Sequence, residues 1–312
     1  MRKQFMAVHE IMEDFFFVER GFLNANHFVL CGDKPVLVDT AYKKDFHETR
    51  ALVQDLGIDL RDVSRIISTH SHCDHIGGNR LIQEMSGCTV EMHRIGRHFM
   101  VTRDDWATWW RYFVQEADFF DCKVELNDGD IVRVGPHEFL VIYTPGHASD
   151  GIVLYNRAEK VLLSSDTLWK DDMAVMAVRV EGSRAPFEML ASLDRIADLD
   201  VRTVYPGHGR PFHDFHDALE RTRRRLRGFL EKPSKMGNDI LKKITVYTLM
   251  MKEQVDSETF FDYLMTTPWF RETVDLYFRG DYDHKYREVM DNLTRRGIVR
   301  IEDGVMRTTV KP

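Results

Sequence analysis

The chain has 312 residues and a formal net charge of -7, long enough for two domains and too acidic for general nucleic-acid binding. Aliphatic and aromatic residues make up 43% and charged residues 30%, with no apolar run of the roughly 20 residues that a membrane helix needs. Cys31, Cys73, Cys88 and Cys122 lack paired spacing and the N-terminus lacks a signal-peptide pattern, so a reducing, cytoplasmic setting is expected.

In chain order, residues 15–19, 26–31 and 35–39 read as strands, separated by Gly21 and a Cys-Gly-Asp-Lys turn. Residues 43–56 carry Phe46, Leu52, Val53 and Leu56 on one helical face, and Gly57 stops that helix. Next comes Arg-Ile-Ile-Ser-Thr-His-Ser-His-Cys-Asp-His-Ile-Gly-Gly-Asn, residues 65–79. His70, His72, Asp74 and His75 put four potential metal ligands into six positions between a buried strand and a Gly-Gly turn. On extended backbone His70 and His72 face one point, while Asp74 and His75 swing towards a second. Imidazole nitrogen and carboxylate oxygen suit zinc, iron or manganese. Cys73, between two of these residues, is expected to point away into packing.

Residues 89–93 form a further short strand, whose His93 is expected to pack rather than to touch substrate. From 94 to 122 the pattern is helical and strongly aromatic, with Trp106, Trp109, Trp110 and Phe113 at helical spacing. Such a stripe either packs on the body of the fold or walls an apolar pocket. Residues 123–126, 130–134 and 138–143 read as strands, 151–155 and 160–164 as a hairpin, 185–199 as an amphipathic helix and 203–205 as a last strand. Residues 217–232 are helical and carry Arg221, Arg223, Arg224, Arg225 and Arg227, a solvated face or an anion-binding patch. Pro233-Ser234 marks a candidate boundary, with Gly237-Asn238-Asp239 opening the next helix. Helices near 240–252, 257–265, 268–278 and 284–296 precede a hairpin at 298–302 and 305–309.

His-x-His-x-Asp-His followed by Gly-Gly resembles the signature of the metallo-β-lactamase superfamily, and most of all its glyoxalase II branch. That family completes a two-metal site with a histidine from a Gly-His turn, a bridging aspartate and a last histidine. The matches are His147 in Thr-Pro-Gly-His, Asp166 in Ser-Ser-Asp-Thr-Leu-Trp and His208 in Tyr-Pro-Gly-His-Gly. The resemblance covers about residues 8–211. It implies an α/β fold, an αββα sandwich over residues 1–232 with an aromatic helical insertion at about 95–122. A smaller, mainly helical region, 233–312, would follow and resembles a winged-helix module.

The resemblance also implies the chemistry. One metal would take His70, His72 and His147, and the other Asp74, His75 and His208, with Asp166 bridging. Two divalent ions, zinc first and iron or manganese otherwise, would share a hydroxide that attacks an ester, thioester or lactone. Asp74 would orient it and carry its proton to the leaving group. Trp106, Trp109, Trp110 and Trp169 are the candidate substrate contacts; Trp169 stands where related lactonases place a tyrosine. Ala148-Ser149-Asp150 replaces the histidine that commonly follows the Gly-His turn in glyoxalase II. The expected partner is a small-molecule substrate, not a nucleic acid or membrane, with the tail capping the site or making a homodimer contact. A single-iron oxidoreductase resembling persulfide dioxygenases and a regulatory, partner-binding role are the alternatives.

Overall fold

The computed structural model describes residues 8–311; the first residues of the segment read for a signal peptide, 1–7, lie outside them. Seven strands form the first sheet in sequential order: β1 (Val8–Met12), β2 (Phe15–Val18), β3 (His27–Leu30), β4 (Val36–Val38), β5 (Arg65–Ser68), β6 (Thr89–His93) and β7 (Cys122–Leu126). Pairing is antiparallel up to β4 and parallel from β4 to β7. The second sheet has β8 (Ile131–Val134), β9 (His137–Tyr143), β10 (Ile152–Asn156), β11 (Val161–Ser165) and β12 (Thr203–Pro206). Its spatial order is β12-β11-β10-β9-β8, with only β11 and β12 parallel.

Side-chain alternation decides how these sheets stack. Phe28, Val38 and Ile67 point one way and meet Phe139, Val141, Leu154 and Leu163 of the second sheet. Their neighbours Val29, Leu37 and Ile66 point the other way, onto Leu52, Val53, Ile82 and Met100 of the flanking helices. Both faces are apolar because both are covered, as buried parallel strands require. On the far side, Ile142, Val153 and Leu162 of the second sheet pack against Leu193, Leu219 and Leu226. The result is the expected αββα sandwich, followed by a helical region.

The sequence shows no sign of β1, and three local expectations need correction. Four of the five β1 residues are partly or fully exposed and only Met12 is buried, so no clear alternation marks the strand. Residues 94–122 are not one aromatic helix. The helix Arg94–Thr102 ends at Arg103 (φ 54°), and Trp109 (φ 71°) and Val114 (φ 55°) bracket the single turn Trp110–Phe113. Left-handed backbone at three non-glycine residues breaks the periodicity that the aromatics suggest. The Gly237-Asn238-Asp239 segment opens no helix, because one helix runs from Pro233 to Lys252. A Cβ at Gly237 would lie 2.7 Å from Tyr277, so this glycine lets the Pro268–Phe278 helix approach. Finally, Gly77 and Gly78 keep ordinary helical φ values. What excludes a side chain at Gly77 is the backbone of residues 41–43, and a Cβ at Gly78 would stand 3.0 Å from Thr40.

The tail shares its core with the sandwich. Leu241, Ile244, Trp269, Phe270 and Val274 belong to the same buried cluster as Leu162 and Leu193. Helices Phe260–Thr266, Pro268–Phe278 and Tyr282–Arg295 lead to a small sheet of β13 (Val255–Asp256), β14 (Val299–Glu302) and β15 (Val305–Thr308), in the order β13-β15-β14. No helix among the described residues is long and apolar enough to cross a membrane.

Candidate metal centre

Ends of strands supply the ligand set. β5 stops at Ser68, and extended backbone carries His70 and His72 to the helical turn Cys73–Ile76, which holds Asp74 and His75. His147, Asp166 and His208 follow β9, β11 and β12. A rigid sandwich with loops at one edge can hold such a set to within fractions of an ångström. Gly207 shows how tight this edge is. A Cβ there would lie 2.1 Å from Asp166 Oδ1 and 3.1 Å from the His75 ring.

Two groups of donors result: His70, His72 and His147, and Asp74, His75, Asp166 and His208, all buried or nearly so. Asp166 Oδ2 lies 3.5 Å from His75 Nε2, 3.8 Å from His208 Nε2 and 3.3 Å from His147 Nε2. It therefore reaches both groups. Cys73 points away, its thiol donating to the Thr108 carbonyl at 3.2 Å.

Proton positions test whether a cation belongs here. His147 Nδ1–H donates to the Val175 carbonyl at 2.8 Å, leaving a lone pair on Nε2. His72 Nε2–H donates to Glu181 Oε1 at 3.2 Å, leaving a lone pair on Nδ1. Those two lone pairs then face each other across 3.0 Å, an arrangement that repels unless a cation lies between their directions. In the second group His75 Nδ1–H donates to Asp39 Oδ2 at 2.9 Å, which leaves Nε2 as the atom turned towards the carboxylates of Asp74 and Asp166. His70 Nε2 is buried without a partner. The donor set fits metal ions.

Electrostatics agree. Burial, then the neighbouring imidazoles, holds His70 and His72 well below the usual histidine value, in the neutral ligand form. Burial alone would also lower His75, but Asp166, Asp39 and Asp74 outweigh it and hold that ring well above. Burial opposes a charge on Asp166, yet His208 and His75 keep its carboxyl well below the carboxylate range. Three acids around His75 are short of positive charge, which divalent ions would supply.

A cavity of about 540 Å³ opens on this centre, with Asp74, His147 and Asp166 in its wall. Trp109 and Trp169 line it too. Trp109 stacks on His72 (ring centroids 3.7 Å, 30°), and Trp169 Nε1–H donates to Asp166 Oδ1 at 3.1 Å. Trp106 and Trp110 are not brought there. Trp106 lies under Arg111 and against Tyr112, and Trp110 packs on Phe119. The left-handed backbone at Trp109 turns it away from its neighbours. His93 is a packing residue, stacked on Tyr143 at 4.3 Å.

Asp39, which closes the strand read at 35–39, is expected at the metal edge from the resemblance and is found there; the other residues here are not singled out as site residues by the sequence. Asp39 accepts from His75, from Thr69 N (2.8 Å) and from Thr69 Oγ1 (2.7 Å). Glu181 accepts from His72, from Trp109 Nε1 (2.9 Å) and from Ser149 N (2.7 Å), and burial pushes its carboxyl up to about 7. Asp150, in the stretch that departs from glyoxalase II, is also fully buried and pushed up to about 7. The helix Pro233–Lys252 lends Lys242, Ile244, Tyr247 and Met250 to the cavity wall. Arg225 also lines the cavity but is paired with Asp172 and Asp239. No spacing in the chain links these positions to residues 70–75.

Comparison with known proteins agrees with this geometry. The family model described as the metallo-beta-lactamase superfamily matches residues 20–208. A hydroxyacylglutathione hydrolase from Maricaulis maris is 31% identical over 148 residues, 47% of this chain and 48% of that one. The chain thus spans about half the length of that relative. A beta-lactamase-like protein 2 homolog from Caenorhabditis elegans is 24% identical over 238 residues, 76% of this chain and 70% of its own. In fold, a metallo-beta-lactamase family protein from Thermus thermophilus superposes with a TM-score of 0.64 at 22% identity, covering 96% of this chain and all of that one.

Proposed function

The chain belongs to the metallo-β-lactamase superfamily, and from that premise we propose that it is a metal-dependent hydrolase of a small ester, thioester or lactone. The observation that carries this reading is the pair of imidazole lone pairs 3.0 Å apart beside a four-donor acidic group, both opening on one cavity. His70, His72 and His147 would hold one divalent ion; Asp74, His75 and His208 the other; Asp166 lies between them. When bound, two such ions supply a water made acidic enough to attack at neutral pH and a Lewis acid for the carbonyl oxygen. Zinc suits this nitrogen and oxygen set, as do iron and manganese.

The protein's own groups do the rest. Asp74 lines the cavity and is the most exposed carboxylate of the set at 13%. It orients the attacking water, accepts its proton and passes that proton to the departing alkoxide or thiolate. A carbon–oxygen bond forms to the carbonyl as the bond to the leaving group breaks, so no side-chain nucleophile is needed. Trp169 fixes the Asp166 carboxylate through its indole N–H. Trp109, Val175 and Met250 offer apolar surface to an acyl group. The hydroxyacylglutathione hydrolase likeness, over 47% of the chain, makes thioesters the first substrates to try. The test is a panel of esters, thioesters, lactones and phosphodiesters on protein of measured metal content. Turnover of an acyl substrate that is lost with the metal is expected. A single iron with sulfur-dependent oxygen uptake and no hydrolysis would overturn the reading.

A further inference from the structure

Glu181 ends the single helical turn Val178–Glu181, far from every motif in the chain. Its side chain is only 3% exposed, and both oxygens are committed. Oε1 accepts from His72 Nε2 at 3.2 Å and from Trp109 Nε1 at 2.9 Å, while Oε2 accepts from Ser149 N at 2.7 Å. One carboxylate oxygen thus joins the outer nitrogen of a metal-ligand histidine to the indole of a cavity-wall residue. The two rings it joins are themselves stacked at 3.7 Å. Trp109 also stands edge-on to His147 at 5.0 Å, so its ring touches two of three donors in that group. Its backbone sits at φ 71°, which costs a non-glycine residue energy and persists only where surrounding contacts hold it. The turn bearing Glu181 is itself anchored. Trp106 Nε1 donates to the Arg179 carbonyl at 3.4 Å, and Arg179 pairs with Glu272 of the tail at 2.6 Å.

We propose that Glu181 is a positioning residue that couples the metal position of His70, His72 and His147 to the substrate-facing wall at Trp109. This rests on the metal-site part of the reading above and not on which bond is hydrolysed. A carboxylate on the outer nitrogen fixes the His72 tautomer, presents the Nδ1 lone pair and makes the ring a stronger donor. Because the same oxygen holds the indole N–H, a change at His72 is felt at Trp109 through a shared acceptor and a ring stack. Occupancy of that metal position and the shape of the cavity wall therefore change together.

The experiment uses full-length, zinc-loaded protein and needs no substrate. Graded chelator removes zinc while released metal and tryptophan fluorescence are read in the same sample. Subtracting the Trp109→Phe signal isolates the indole stacked on His72. In wild type this component should change in step with loss of one of the two equivalents. In Glu181→Ala one equivalent should be held about 10- to 100-fold less tightly, and the Trp109 component should no longer follow it. Glu181→Gln keeps the size and one carbonyl oxygen; it should show a smaller shift of the same sign and serves if the alanine variant does not fold. Wild-type zinc retention in either variant, or a Trp109 signal that still tracks the metal in Glu181→Ala, would overturn the proposal. Loaded protein that shows the coupling but hydrolyses no member of the panel would remove the hydrolase reading and leave this one standing.

Discussion

The cavity has two unlike walls. One is reached through Asp74, part of the run of His70, His72, Asp74 and His75 that packs four donors into six consecutive positions at the end of a strand whose register is fixed on both sides. The other is assembled from Trp109 on left-handed backbone, Trp169, and tail residues such as Tyr247 and Met250. Where backbone direction fixes side-chain direction, a short motif reports a three-dimensional site. Where the chain folds irregularly and borrows from a helix more than a hundred residues away, spacing reports nothing.

That contrast can be broken at its strongest point first. His147→Ala and His208→Ala should each lose mainly one metal equivalent and cost several kcal/mol of transition-state stabilisation, roughly a thousandfold in kcat/KM. Elemental analysis and rates on one preparation check this, and retention of both metals in either variant counts against the ligand assignment. The tail wall comes next. Trp269 is fully buried in the cluster that joins tail and sandwich, so Trp269→Ala should destabilise the whole chain by about 3–5 kcal/mol. We propose that the tail, 233–312, caps the site rather than standing apart as a module. Denaturant melts of Trp269→Ala should then move metal release and sandwich unfolding together; two separate transitions would argue for an independent module.

A finer cut separates neighbours. Trp109 faces the cavity, whereas Trp110 packs on Phe119. Trp109→Ala should lower kcat/KM for a bulky acyl substrate by roughly tenfold to a hundredfold, with a small effect on an acetyl analogue. Trp110→Ala should lower the melting temperature and leave the substrate ranking unchanged. An equal effect of the two on ranking would show that the wall has been misplaced.

The smallest effect lies away from both walls. His27 is fully buried on β3, and burial, then Arg20, holds it well below the usual histidine value. The unfolded chain therefore binds a proton near pH 6.5 that the folded chain refuses. Its contribution is complete above that pH and is lost as pH falls towards the depressed folded value, with a limiting slope of about 1.4 kcal/mol per pH unit. Stability curves from about pH 7 to 5 should be flatter for His27→Leu than for wild type; parallel curves would contradict this.

Legibility follows the same physics. The sandwich strands from β2 onward and the seven proposed ligands are readable because each lies in a run with one clear period, or just past it. The aromatic segment misleads because Arg103, Trp109 and Val114 adopt left-handed backbone that no propensity of Arg, Trp or Val announces. Glu181 is invisible for another reason. It lies 109 positions from His72, and a lone glutamate in a Val-Arg-Val-Glu stretch reads as surface. Gly237 misleads because a glycine inside a helix, present for the Tyr277 contact, has the same letter as one that ends a helix.

At the centre stands the proposal that both donor groups are filled together and that the pair drives acyl hydrolysis. Metal content and thioester turnover, measured on the same purified chain before chelation, after it and after zinc is restored, test this most directly. About two equivalents per chain are expected, with turnover lost on their removal and regained only as the second equivalent returns. Full activity at one equivalent, or unchanged activity in the stripped protein, would contradict it.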